Sequence, residues 1–542
     1  MKFEMRRGRF VDTKTYDVVL IGYGPVGALL ANMLGRDGIS VLAVDRMGDI
    51  YDKPRAINID HEVMRALQSV GLADEIEPKT MSHPGTDFIG INDRLIKVFE
   101  PPVKPYPLHW PPNLMFIQPE FEPVLRKGAE RFSCVTVMLN TTFLELTQDG
   151  DGVDVTFEQK GIKSVVRAKY VIGCDGATSC VRKLLGVKQD SLDFDEWWTV
   201  IDAWQKKPTP LPRRTTQYCR PDGPATYVVG PKTLRRWEIK LMPGETPEDF
   251  ADDDHVRKRL SAYVDPDAID LWRVATYRFH ALVAHQWQVG RVFLAGDAAH
   301  QMPPFMAQGL CSGVRDVVNL SWKLSGVLRG KFAQSLLKSY EEERKPHIRQ
   351  LVATAKQLGE IIGELDAEKA RERDAALGAE LDSGRAVTLR QRLIPDLEQG
   401  ILARDVDGHL ALATGTLFPQ PEVRTAKLPS VLLDDIVGEK FLIVTRGSPN
   451  IHLPDDDIGY IVLHLLSPEA TLSRDGEFID LTGTLSAWME KHRAQVAVIR
   501  PDKYVFGIAL SSIDFPTLLR QLRDQVPAAA QNHVPISTRI AR

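Results

Sequence analysis

Apolar and polar residues change spacing several times along this chain, and each change marks an element. Tyr16-Asp-Val-Val-Leu-Ile21 is apolar, β-branched and ended by glycine, which predicts a buried parallel strand. Ala28 to Leu34 predicts a helix that stops near Gly38, and Ser40 to Asp45 a second strand. Val63 to Val70 has helical amphipathic spacing and ends at Gly71. Asn113 to Gln118 reads as a strand leading into a helix from Phe121. Alternation between Thr136 and Val171, clearest over Asp151 to Phe157, predicts an antiparallel meander. Tyr170 to Gly173 is a buried strand before Asp175-Gly176 and a helix start carrying Ser179 and Arg182. Pro224 to Val229 alternates as a sheet strand does. Tyr340 to Leu397 reads as helices with solvated charged faces, and Gly415 to Pro421 as a linker or domain entry. From Gly438 to Asp502, strands alternate with helical stretches.

Two glycine-bearing segments carry the chemistry. In Gly22-Tyr-Gly-Pro-Val-Gly27, Gly22 permits the tight turn, Gly24 lets backbone approach a diphosphate, and Gly27 lets helix and strand pack closely. Pro25 and Val26 open the helix, whose N-terminus offers free N–H groups and partial positive charge to phosphates. Asp45 arrives 23 residues after Gly22, where an acid accepts hydrogen bonds from ribose hydroxyls, and Arg46 follows it. The turn alone does not separate NAD from FAD. The second segment, Gly290 to Pro304, runs from an apolar strand into Gly296-Asp297 and a bend at Pro303-Pro304. The two together point to bound FAD.

With 542 residues the expectation is two to four domains. A formal net charge of −4 gives no electrostatic footprint for nucleic acid. Met1 to Thr15 is polar and basic, and no run of about 18 apolar residues occurs, so a soluble, cytoplasmic chain without a membrane partner is expected. The cysteines 134, 174, 180, 219 and 311 form no CxxC pair, and no metal site is visible.

The three segments together resemble the class A flavoprotein monooxygenases, the aromatic hydroxylases. Gly22 to Gly27 is similar to their ADP-binding turn. Asp175-Gly176-x-x-Ser179-x-Val181-Arg182 is similar to their DG motif, associated with FAD and the nicotinamide cofactor. Gly296-Asp297-Ala298-Ala299-His300 with Pro303 is similar to their GD motif around the ribityl chain and flavin ring. Pro303 to Asp316, then Asn319 to Leu324, most resembles the phenylpropionate-hydroxylase branch, with Cys311 where many members have asparagine. Ala307 departs from the usual glycine, and its methyl group should slightly restrict backbone approach to the flavin.

The resemblance implies an α/β architecture. A Rossmann-like FAD-binding domain would span 1–80, 110–190 and 280–365, and an inserted mixed β-sheet substrate domain 81–109 and 191–279. A helical connection would cover 366–404 and a C-terminal thioredoxin-like α/β domain 405–542. Arg500-Pro501-Asp502-x-Tyr504 resembles the end of that last domain, which has no cysteine for dithiol chemistry. A homodimer is the family habit.

It further implies an enzyme that hydroxylates a phenolic ring with NADH or NADPH and O2 through a flavin C4a-hydroperoxide. The expected substrate is a 3-(3-hydroxyphenyl)propionate-like aromatic acid; the alternatives are a polycyclic polyketide or other bulky aromatic, and a non-catalytic flavin-binding module. No second GxGxxG unit occurs in a strand–helix context; the resemblance implies that the nicotinamide docks transiently while the flavin moves between a reduction position and an interior hydroxylation position. Asp45, Asp175, Gly176, Gly296, Asp297, Gln118, Gln308, Gly309 and Leu310 are the remaining expected cofactor contacts. Arg55 either reaches the phosphates or stays a surface arginine. Arg182 either assists nicotinamide docking or fixes its helix through a salt bridge. Pro303 and Pro304 suit a wall beside the flavin, because proline fixes the backbone and donates no N–H. A phenol is activated by deprotonation; His61 and Tyr227, then Tyr106, His109 and Tyr218, are the candidate bases. Arg220, Arg235 and Arg236 are candidate clamps for a substrate carboxylate.

Overall fold

The computed structural model describes residues 3–6, 9–384, 387–447, 449, 451, 453 and 458–529. The end of the expected C-terminal domain, 530–542, lies outside the described residues. The fold is mixed α/β, built on three large sheets.

The strand Arg9–Ile21 is the hub of the first sheet. Val18 to Ile21 pair in parallel with Val41 to Val44 on one side and Tyr170 to Gly173 on the other. Val135–Met138 and Val292–Leu294 extend this parallel core at its two edges. Helices on its faces bury both sides of these strands, which is why they read as continuous apolar runs rather than alternating ones. The expected meander is shorter than the sequence suggests. Only Thr142–Gln148, Val153–Gln159 and Ile162–Gly173 pair as antiparallel neighbours. Val135–Met138 instead runs parallel to Val41–Val44, because the helix Gln118–Glu130 carries the chain back across the sheet before it.

The second sheet centres on two long antiparallel strands, Gln189–Gln205 and Ile269–Ala284. Leu234–Lys240, Ala225–Val229, Thr215–Tyr218, Thr86–Ile89 and Leu95–Phe99 follow in spatial order. The short strand Val387–Thr388 closes that edge, so the stretch 366–404 is not purely helical: the helix Ala367–Asp382 is followed by a strand of this sheet. Side-chain alternation gives the sheet two faces. Ile201, Ala203, Tyr227, Trp237 and Ile239 pack beneath the helix Asp253–Leu260. Trp198, Asp202, Arg236, Glu238 and Lys240 lie on the opposite face. There Arg236 donates to the Pro54 and Arg55 carbonyls, and Lys240 to the Gly363 carbonyl at the end of the helix Ser339–Gly363. That face is turned toward the first sheet's half of the molecule.

In the third sheet, Phe441–Arg446 and Tyr460–Leu466 run parallel, while Val496–Ile499 and Val505–Ala509 add antiparallel neighbours. It is held to the rest of the chain by an apolar cluster around Trp322, Phe332 and Phe441 and by buried ion pairs. Arg500 forms a two-point contact with Glu343, at 2.9 and 2.7 Å, and also meets Asp502. Lys323 and Asn319, on the helix Gly309–Leu328, reach the same Glu343 at 2.6 Å each.

Candidate flavin and substrate site

A Cβ on Gly27 would lie 2.1 Å from the Gly22 carbonyl oxygen, and one on Gly22 would lie 2.4 Å from that of Cys174. The glycine turn therefore packs on itself and on the segment that leads into Asp175. At Gly24 an added Cβ meets nothing within 4 Å. Gly24 is the N-cap of the helix Pro25–Arg36, whose first closing bond runs from Ala28 N to Gly24 O. The Val26 and Gly27 amides precede that bond and have no intrahelical acceptor. The Asp45 carboxylate accepts from the Tyr23 and Met47 amides, 2.8 Å each, so it shapes the turn it was expected to serve. Arg46 beside it is exposed.

Gly296-Asp297-Ala298 forms one tight turn after the strand Val292–Leu294. Val26 joins it to the glycine turn: its side chain lies 3.4 Å from where a Gly296 Cβ would sit and 2.7 Å from a Gly313 Cβ. Beneath the turn, buried Asp316 accepts from the Gly296 amide (3.0 Å), His300 Nε2 (2.8 Å) and Arg344 Nε (3.0 Å). Desolvation raises the Asp316 pKa, but His300 and Arg344 outweigh it and hold the carboxyl below its usual range. Asp316 was not singled out from sequence, since an acid inside an apolar helix announces no partner. Asp297 is open to solvent yet hemmed in by protein atoms, as a group on a cleft floor would be. Desolvation raises its pKa, opposed by the charges of His300 and Arg55. Arg55 is itself exposed, 4.7 Å over the Tyr51 ring.

Several expected contacts hold neighbouring protein segments in place. Gln118 is buried, and its Oε1 accepts from the Arg55 and Ala56 amides at 3.1 and 2.8 Å, so it positions the Arg55 loop. Asp175 accepts from Ser179 Oγ (2.5 Å) and from the Cys180 and Val181 amides, securing the start of the helix Cys180–Leu184. Gly176 follows it in a left-handed conformation, φ +79. Arg182 forms no salt bridge among the described residues. It is buried, and it donates to the Ala298 and Ala177 carbonyls at 2.8 Å each, tying the DG segment to the GD turn.

Pro303 is buried and Pro304 opens a single turn to Met306. Ala307 then adopts a left-handed conformation, φ +48, where its methyl is strained in a way glycine is not. Gln308 caps the helix Gly309–Leu328, and the first closing bond runs from Ser312 N to Gln308 O. The Gly309, Leu310 and Cys311 amides thus form a positive helix end. Gln308 Oε1 accepts from Arg315, while its buried Nε2 has no hydrogen-bond partner. Phe305 packs edge-on against Trp198, with ring centres 5.1 Å apart, and Trp198 stacks on Phe279. This aromatic wall closes the space between the proline turn and the second sheet.

Tyr227 requires correction as a candidate base. It is fully buried on the far face of the second sheet against Trp237, because strand alternation turns it away from the face occupied by Glu238. Tyr218 packs against Tyr263 in the same far cluster. His109 lies in a loop 3.7 Å from Glu422 of the third unit. His61 is buried, and desolvation lowers its pKa, which leaves the imidazole neutral with its Nδ1 unpartnered. Glu238 was not anticipated. It is buried on the near face between Arg236 and Lys240, and its only ion contact is Arg236 at 3.8 Å. Desolvation pushes its pKa up to about 7. The three candidate carboxylate clamps are all engaged: Arg220 with Asp93, Arg235 with carbonyls of its own turn, and Arg236 with Asp202 at 2.7 Å.

Residues 15–355 match the FAD binding domain family, and residues 415–525 match the HcaD C-terminal domain. A probable NADH-specific resorcinol 4-hydroxylase of Rhodococcus jostii (strain RHA1) is 34% identical over 94% of this chain and 95% of its own length. A 3-(3-hydroxy-phenyl)propionate/3-hydroxycinnamic acid hydroxylase of Mycolicibacterium gilvum (strain PYR-GCK) is 32% identical over 91% of this chain and 89% of its own. The chain belongs to the FAD-dependent aromatic hydroxylase family. Among solved structures, the flavin-dependent monooxygenase PieE, in complex with FAD and substrate, superimposes on this hydroxylase with a TM-score of 0.76 at 22% identity. That match covers 94% of this chain and 99% of PieE.

The hydroxylase's own geometry fits FAD. The open face at Gly24, with the Val26 and Gly27 amides, suits a diphosphate. The cleft-floor carboxylate of Asp297 suits a polyol chain. The partnerless Gln308 amide, beside the amides of Gly309 to Cys311, suits the polar edge of a flavin ring. No helix among the described residues is long and apolar enough to cross a membrane.

Proposed function

We propose that this enzyme hydroxylates a phenolic aromatic acid of the 3-(3-hydroxyphenyl)propionate kind, consuming NADH or NADPH and O2. The supporting observation is the meeting of the glycine turn, the DG segment and the GD turn at one cleft. The polar near face of the second sheet and the Phe305–Trp198 wall bound that cleft. The balance is ArH + NAD(P)H + H⁺ + O2 → ArOH + NAD(P)⁺ + H2O. FAD, when bound, accepts the hydride and passes one oxygen atom of O2 to the ring.

The chain's own residues hold, orient and exclude. The amides of Gly309 to Cys311 stabilise negative charge on the pyrimidine side of the ring system. Pro303, Pro304 and Phe305 keep water from the reacting face. Glu238, with a pKa of about 7, takes the phenolic proton in its ionised carboxylate form, and the neutral imidazole of His61 is a second acceptor within the buried shell. The proposed domains are an FAD-binding Rossmann-like domain, an inserted substrate-binding sheet and a thioredoxin-like C-terminal domain. All five cysteines are free thiols, in keeping with a cytoplasmic enzyme; a homodimer remains the expected assembly.

The test is purified, FAD-loaded protein given NADH or NADPH and a panel of meta-hydroxylated aromatic acids, neutral phenols and polyketides. Substrate-stimulated reductant oxidation with a dihydroxylated product from the acids supports the reading. Turnover confined to polyketides overturns it.

A further inference from the structure

Buried arginines are neutralised almost everywhere in this molecule. Arg65, Arg236, Arg273, Arg315, Arg344 and Arg500 each meet a carboxylate. Arg182 donates to two carbonyls. Arg390 differs. It is 7% exposed, and its one hydrogen bond to protein is from Nη2 to the Met306 carbonyl, two residues beyond Pro304. No carboxylate pairs with it among the described residues. Its remaining donors line a cleft shared with Ser82, His83, Phe99, Tyr106 and Asn113.

The same cleft offers further polar groups. Asn113 Oδ1 is buried without a partner. His83 Nδ1 accepts from the Gly85 amide, so the ring proton sits on Nε2, which faces Thr215 Oγ1 at 3.4 Å. Burial and the neighbouring Arg390 and Arg214 push the His83 pKa down to about 3, so the ring brings no charge. Burial likewise lowers the Arg390 pKa, to about 10, more than the opposing influence of Cys311 and Asp60 restores. A guanidinium held out of water with no carboxylate in direct contact is costly, and the group that best relieves it is a planar carboxylate taking two parallel N–H bonds.

We propose that Arg390, with Tyr106 and His83 beside it, is the subsite that binds the carboxylate of the substrate. The ring is then held next to the Pro303–Pro304 wall, because the Arg390–Met306 bond joins the clamp to that turn. The proposal rests on the reading of the protein as a phenol hydroxylase and adds what that reading lacks: a determinant that favours an anionic phenol over a neutral one.

The experiment compares 3-(3-hydroxyphenyl)propionate with its neutral counterpart, 3-(3-hydroxyphenyl)propan-1-ol. Both are titrated calorimetrically into the FAD-loaded wild type, Arg390→Met and Arg390→Lys, and both are assayed for product. The wild type should bind the acid at least roughly tenfold more tightly than the alcohol. Arg390→Met should weaken the acid by roughly 10- to 100-fold, the range of a hydrogen-bonded charge pair. It should move the alcohol by less than about threefold, and Arg390→Lys should recover part of the preference. Equal losses for both ligands would assign Arg390 a structural role through Met306 and overturn the clamp; so would an unchanged acid affinity. Tight, Arg390-dependent acid binding with no product from either compound would sustain the clamp and overturn the hydroxylase reading instead.

Discussion

A methyl group at position 24 and one at position 27 have opposite expected outcomes. Gly24→Ala meets no protein atom, so the unfolding free energy of the FAD-free protein should stay within about 0.5 kcal/mol of wild type. FAD affinity should fall roughly tenfold or more, because the methyl occupies the face a diphosphate approaches. Gly27→Ala strikes the Gly22 carbonyl and should destabilise the fold itself by about 1–3 kcal/mol. Denaturation curves and flavin absorbance separate the two, and a Gly24→Ala protein with full FAD affinity would contradict the assignment of the turn. Glu238 makes a second residue-scale prediction. Its folded pKa is raised, from 4.5 to about 7, so the folded state holds the proton more tightly than the unfolded one. The wild type should therefore lose stability as pH rises through that window. Glu238→Gln should remove the loss, which is worth up to about 3 kcal/mol. A stability difference that is the same at about pH 5 and about pH 8 would rule the shift out.

At the scale of elements, what the sequence made legible was whatever depends on backbone shape. A glycine that must turn or make close contact leaves a mark at a fixed offset from its strand, and so Gly22, Gly24, Gly27 and Gly296 could be placed before any coordinates. Side-chain direction was less legible. Nothing in Pro224 to Val229 says which alternate residues face the cleft, and Tyr227 proves to face away while Glu238, next to its cross-strand partner Trp237, faces inward. Tyr227→Phe should accordingly keep kcat/KM within about threefold of wild type; a hundredfold loss would return Tyr227 to the site. Asp175 and Arg182 are expected cofactor contacts through the DG motif, and Gln118 through its place where a strand leads into a helix. The structure has them holding the loops that would do the touching. Arg390 lay in a stretch that reads only as charged and helical, and its partner is a carbonyl 84 positions away.

At the scale of the whole molecule, an apolar cluster of Trp322, Phe332, Phe441, Ile443 and Phe506, a buried ionic cluster and a relay of side chains tie the third sheet to the rest. Arg500, Glu343, Asp502, Lys323 and Asn319 join the third sheet to the helix whose first turn faces the cleft. From there Tyr504 donates to Glu62, Glu62 accepts from Arg315, and Arg315 holds Gln308. The third unit thus reaches the site without entering it. Arg500→Met leaves Asp502 without a cation and Glu343 with Lys323 alone, and should destabilise the protein by about 3–5 kcal/mol, read by denaturant unfolding. Glu343 also sets an acid limit. Desolvation raises its pKa, but Arg500 and Lys323 outweigh it and hold it down to about 2, from 4.5. The stability it contributes is complete above its unfolded value and should be lost as pH falls from 4.5 toward 2. The central claim is that the three joined segments deliver oxygen to a phenol bound beneath the second sheet. Turnover of 3-(3-hydroxyphenyl)propionate under ¹⁸O2 tests it most directly. The account predicts one ¹⁸O atom in the hydroxylated product for each reductant consumed; NAD(P)H oxidation with no labelled product from this or any other phenol would contradict it.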